Sequence, residues 1–162
     1  MAPGARRLSW PPIALGVVAE LLAIAVGLWI PLASDPAVRT FLAIALLNVG
    51  VLGGGITGLV LSGPWRTNAL HGAVTGAIGG AAFGVVLFGA ITNAVPSPRY
   101  AGFWTLHYLV ATALPIPSWA VVRYGRLVVG GIAVLVGSFV AIEGSIAAGA
   151  VASPRDPPEA GR

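Results

Sequence analysis

GVLGGGITGLVLSGPWRTNALHGAVTGAIGGAAFG, residues 50–84, decides how this chain folds. Gly50, Gly54 and Gly58 recur every fourth residue, and after a short break so do Gly72, Gly76, Gly80 and Gly84. That spacing lines each set along one side of a helix, because residues i and i+4 lie nearly above one another. The surroundings are apolar: 40–65 and 67–98 contain no Asp, Glu, Lys or Arg. In water each such glycine would cost a helix about 0.8–1.0 kcal/mol relative to Ala. In a bilayer the backbone must satisfy itself internally, so the helix is enforced, and a glycine groove lets a second backbone approach closely. The stretch predicts a tight transmembrane hairpin, with Gly137 supplying a related small-residue stripe farther on.

Working outward, the composition agrees. Hydrophobic residues make up 57% of the 162 and charged residues only 9%, with a mean hydropathy of +0.91. Soluble domains carry about 25% charged residues, so this chain could not cover a water-facing surface. An all-α, polytopic helical bundle in the lipid bilayer of the cell membrane is expected instead. The net charge of +4 comes from nine Arg and no Lys against five acids. These arginines stand singly or in pairs at the ends of apolar runs, without a clustered patch or a recognisable module, so no nucleic-acid partner is expected. Arg in place of Lys, with abundant Ala, Gly and Pro, fits a GC-rich prokaryotic genome. The absence of Cys removes disulfides, thiolate catalysis and cysteine-ligated metals from consideration.

Five spans are expected, at about 12–33, 41–62, 69–91, 100–122 and 127–152. A basic leader, 1–10, precedes them, and a proline-rich, disordered tail, 153–162, follows. Arg6 and Arg7 ahead of an apolar run resemble a signal peptide. The run Ile13–Ile30 is too long for one and contains Glu20, so a retained helix is expected. The fourth span is the ambiguous one. Pro115 and Pro117 interrupt it, and a helix ending at Leu114 would reach roughly 22 Å of a ~30 Å hydrocarbon layer. A broken crossing is the first reading, and four spans plus a re-entrant or interfacial segment is the alternative. Either count divides the arginines five to four between the two sides. Arg6 and Arg7 beside the first span place the N-terminus in the cytoplasm.

Three ionisable residues lie within apolar runs and form the candidate intramembrane polar site: Glu20, His107 and Glu143. Insertion of a central acid costs about 2.5–3.5 kcal/mol, so such a residue signals function unless a neighbouring helix satisfies it structurally. Glu20 shares a helical face with Gly16, Ala23 and Gly27 and should point into a close helix contact. Glu143 lies roughly 140° around its helix from the Gly130/Gly137/Gly144 stripe. It should therefore be covered by protein, either by the broken fourth segment or by a second copy of the chain. With four spans Glu143 comes level with Glu20, suggesting a Glu–Glu pair; with five it approaches His107. His71, at the start of the third span, reads as an interfacial anchor.

Two isolated histidines do not make a metal site, and the H-E-x-x-H, G-x-S-x-G and phosphate-loop patterns are absent from the sequence. No catalytic residue, cofactor or metal is expected. The leading expectation is a non-enzymatic protein acting through helix packing, as a homo-oligomer or a subunit of a membrane complex. A small transporter or proton/ion pathway using Glu20, His107 and Glu143 is the alternative. The Gly50–Gly58 and His71–Gly84 pattern, over about residues 41–91, resembles small glycine-rich multi-pass membrane proteins of halophilic archaea. That family has no assigned activity, and the resemblance implies a four-span architecture and nothing about chemistry.

Overall fold

The computed structural model describes residues 8–29, 35–61, 63–92 and 101–151; within the last range the side chains at 101, 104, 107, 108, 110 and 111 lie outside the description. Most of the expected leader and all of the expected tail fall outside it too. The described residues form helices α1 (Trp10–Trp29), α2 (Pro36–Leu47), α3 (Val49–Val60), α4 (Trp65–Ile91), α5 (Ala101–Ala113) and α6 (Ser118–Ala150).

Local chemistry explains the boundaries. Asp35 caps α2 by accepting the Ala37 N–H at 2.8 Å, and Pro36 occupies the first turn, where its missing N–H is not needed. The span expected over 41–62 is not one straight helix. Asn48 turns its side-chain amide back onto the Ile44 carbonyl at 2.7 Å, competing with the regular ladder, and α2 and α3 meet there at a 42° bend. Pro64 separates α3 from α4. Pro115 and Pro117 lie in the non-helical stretch between α5 and α6. The last helix starts earlier than expected, at Ser118, and passes through one non-helical residue, Tyr124 (φ −129°, ψ 26°).

Helices α1, α4 and α6 are each long and apolar enough to cross a membrane, and the bent α2–α3 pair makes a fourth candidate. Their directions follow from the contacts. Along α4, Gly72, Gly76, Gly80 and Gly84 meet Gly144, Ala141, Gly137 and Ala133 of α6 in reverse order, so the two helices are antiparallel. The chain between them therefore leaves and returns at the same end of the bundle. Helix α5, with 13 residues, spans roughly 20 Å, and it packs on α2, α4 and α1. The count of five crossings is thus corrected to the alternative of four plus a short segment. The physical reason is the Leu114–Pro117 break, which stops α5 before it can traverse the layer.

The glycine stripes also need a correction. They do not zip α3 against α4; both receive α6. A Cβ at Gly50, Gly54 or Gly58 would overlap backbone at Val140, Gly144 or Ala148 of α6, while Gly80 and Gly137 oppose each other's carbonyls. Two parallel glycine edges make one groove, and the small-residue face of α6 fills it. On the opposite side of the α3–α4 pair lies α1, with Gly16 against Gly53 and Thr57 of α3 and Thr75 of α4.

The outer surface is apolar, with Leu22, Leu59, Val85, Val122 and Leu127 all well exposed. Arginine–aromatic pairs mark the two ends: Arg66 lies 5.5 Å from the Trp65 ring at one, and Arg123 lies 5.6 Å from the Tyr124 ring at the other. An apolar flank with Arg and aromatic residues at its ends is what a bilayer requires. This is a multi-pass membrane protein with an all-helical bundle.

Candidate functional site

Glu20 lies in the interior, on the buried face of α1 that also holds Ile13, Gly16, Ile24 and Gly27. Its residue exposure is 0%, and both carboxyl oxygens are buried without a hydrogen-bond partner. Two glycines create the room. A Cβ at Gly53 of α3 would overlap Glu20 Cγ and Oε1, and one at Gly79 of α4 would overlap Oε2. A buried polar group normally finds a partner, because an unmade hydrogen bond costs about 1–3 kcal/mol, more for a charged group. This orphaned carboxyl, built into a glycine cradle, is the chemical anomaly of the fold.

Among the described residues, buried polar groups continue from it in one direction. One turn from Glu20, toward the N-terminal end of α1, Thr57 and Thr75 place their hydroxyl oxygens 2.9 Å apart, both fully buried. Thr57 Oγ1 also lies 2.9 Å from the Gly53 carbonyl and 3.2 Å from the Pro12 carbonyl. Its single proton can serve one carbonyl while it accepts the Thr75 O–H. About one turn farther, His71 Nδ1 donates to the Thr67 carbonyl at 2.7 Å, and Nε2 accepts the Ser9 N–H at 2.9 Å. The imidazole thus ties the start of α1 to α4 and satisfies one of the N–H groups that a helix start leaves free. Asn68, fully buried, donates to the Gly58 and Leu61 carbonyls at 3.3 and 3.0 Å, closing the α3–α4 turn; its Oδ1 has no partner.

In the other direction the core is hydrocarbon. Ile24, Val49, Phe83, Leu87, Phe103 and Leu106 belong to one buried cluster. The Phe83 and Phe103 rings sit 5.1 Å apart and tilted by 49°, a favourable aromatic arrangement.

Of the three expected site residues, Glu20 and Glu143 do not converge. Glu143 reaches the depth expected from four crossings: Gly53 adjoins Glu20 and the next residue of α3, Gly54, adjoins Gly144. The two acids nevertheless lie on opposite sides of the α3–α4 pair, so the Glu–Glu pair is corrected: α3 stands between them. Glu143 is half-buried, and its Oε2 is buried with no partner. Its α5 cover is not apparent, since α5 is packed on α2, α4 and α1. The side chain of His107 lies outside the described residues, as does any pairing with Glu143. His71, read as an anchor, is 2% exposed and joins the polar file instead.

Sequence reasoning passed over Gly53, Thr57, Asn68, Thr75 and Gly79. A signal was present for three of them. Asn68, His71, Thr75 and Gly79 stand at spacings of three, four and four, one face of α4. A polar row on an apolar helix marks an interior face, but the glycines of the neighbouring face concealed it.

Among the described residues no group of three or more His, Asp or Glu could hold a metal ion. No family model, curated protein or solved structure matches the chain. The functional reading therefore rests on the residues themselves.

Proposed function

We propose that this is a non-enzymatic, multi-pass protein of the cell membrane that binds and releases a proton or monovalent cation at Glu20, as part of proton- or cation-coupled transport. One observation carries this reading: a carboxyl with 0% exposure, neither oxygen hydrogen-bonded, seated where two glycines leave room for it. A structural acid would be expected to bond its neighbours, and Thr57 and Thr75 stand one turn away bonded to each other instead. Glu143 joins as a second acid at the same depth on the outer flank. The basic Arg6–Arg7 pair of the sequence favours a cytoplasmic N-terminus, which would turn the polar end of the file to that side.

The test is flux into proteoliposomes carrying an internal pH dye, under an imposed proton or cation gradient. Glu20→Gln keeps the volume and removes the titratable oxygen, and it should abolish the protein-dependent signal. Flux equal to wild type in a correctly folded Glu20→Gln protein would refute the proposal.

A second reading, assembly with another copy or a membrane partner, is favoured by an apolar groove of about 560 Å³ between α4 and α6. Ala77, Ala81 and Val85 line one side, and Val134, Ser138 and Ala141 the other. Small residues on an outer face suit close helix approach. Cross-linking in native membranes through cysteines at positions 81 and 138 would test it, and a monomer-only product would remove it.

A further inference from the structure

We infer that the ligand of the Glu20 site is a proton and not a metal cation, and that in the conformation seen here it reaches Glu20 from the end of the bundle where α1 begins; this rests on Glu20 being the functional group proposed above.

The donor set decides the ligand. A metal cation leaving water needs several oxygens to replace its hydration shell. Around the Glu20 carboxyl the two facing helices present glycines, Gly53 and Gly79. The nearest hydroxyls, on Thr57 and Thr75, are engaged with each other and with the Gly53 and Pro12 carbonyls. Neither α3 nor α4 faces Glu20 with a titratable or charged group; the closest on those helices is His71, eight residues along α4 from Gly79. Helix α1 carries no other acid or base. Of the remaining elements, α2 holds Arg39 at its first turns; α5 holds His107 and Tyr108, whose side chains lie outside the described residues; and α6 holds Arg123, Tyr124 and Arg126 near its start and Glu143 beyond the α3–α4 pair. One carboxyl suffices for a proton: the carboxylate takes H⁺ from hydronium, giving the acid and water, and the reverse step releases it.

The surroundings decide the route. Toward the start of α1 the interior offers Thr75, Thr57, His71 and Asn68 in succession, each with hydrogen-bonding atoms. Toward its end, the next turns of α1, α3 and α4 contribute Ile24, Val49 and Phe83, and Phe103 of α5 closes on Phe83. These residues are 0–3% exposed. Close-packed hydrocarbon holds no acceptor for a travelling proton, and crossing it would carry the desolvation cost that hydrogen-bonding groups relieve. Phe103 thus closes the hydrocarbon side of Glu20 in this conformation.

The experiment is infrared difference spectroscopy on the full-length protein in sealed proteoliposomes, with orientation read from labelling of Gly125→Cys by an impermeant maleimide. A pH step is applied to one face at a time, and the Glu20 carboxylic C=O band is identified by its loss in Glu20→Gln. The band should respond first to a step on the face where α1 begins, and only at the slower rate of the transport cycle to a step on the other. It should not move when sodium replaces choline at constant pH. A response from the opposite face that is as fast or faster, or no response from either, overturns the access route. A band that follows sodium overturns the proton assignment. Unchanged flux in Glu20→Gln would instead bring down the transport reading, which the band does not measure.

Discussion

Gly54 and Gly55 are neighbours in sequence and opposites in consequence. A Cβ on Gly54 would stand 2.5 Å from the Gly144 Cα and 2.6 Å from its carbonyl carbon, with the carbonyl oxygen closer still. The obstacles are backbone, so no rotamer change relieves them and α3 and α6 must separate by about 1 Å to restore van der Waals contact near 3.5–4.0 Å. Overpacking of this kind costs about 1–3 kcal/mol. A Cβ on Gly55 meets nothing within 4 Å, and Ala there should be neutral or stabilising, by up to about 1 kcal/mol on the helix-propensity scale. The two alanines are chemically identical changes one residue apart, so helix propensity and added apolar area nearly cancel between them. The expected difference is therefore about 1–3 kcal/mol, read as the shift in a denaturing-detergent unfolding curve followed by circular dichroism. Gly54→Ala combined with Gly144→Ala should cost less than the sum of the two, because the first change already parts the helices. Equal stability of Gly54→Ala and Gly55→Ala would refute the placing of α6 in the glycine groove.

Two further outcomes are expected. Thr57→Val and Thr75→Val should each destabilise by about 1 kcal/mol, and the double variant by less than their sum, since it removes both partners of one buried bond; strict additivity in the same unfolding assay would refute the pairing. In the naturally cysteine-free chain, Thr92→Cys and Gly125→Cys should both react with an impermeant maleimide from one side of the membrane, and labelling from opposite sides would restore the fifth crossing.

Much of this architecture could be read from particular residues. The apolar runs, the charge poverty and the four-residue glycine spacing are local properties, and they alone require membrane helices with close-packing edges. Glu20 was legible for the same reason: its companions Gly16 and Gly27 share its face whatever lies opposite. The proline pair at 115 and 117 marked the weak point of the fourth segment without saying on which side it would end.

What packs against what was decided only in three dimensions. A glycine edge accepts any smooth helix, so the edges on α3 and α4 do not declare whether they want each other or a third helix. The match of α6 in reverse register settled that, and with it the number of crossings. The polar file came the same way. Thr57 and Thr75 lie 18 residues apart on two helices, and Gly53 and Gly79 become a cradle only once α1 inserts Glu20 between them. Spacing along one helix tells which residues share a face; the partner of that face belongs to the whole bundle, because helix packing in a membrane depends on shape complementarity between surfaces distant in sequence.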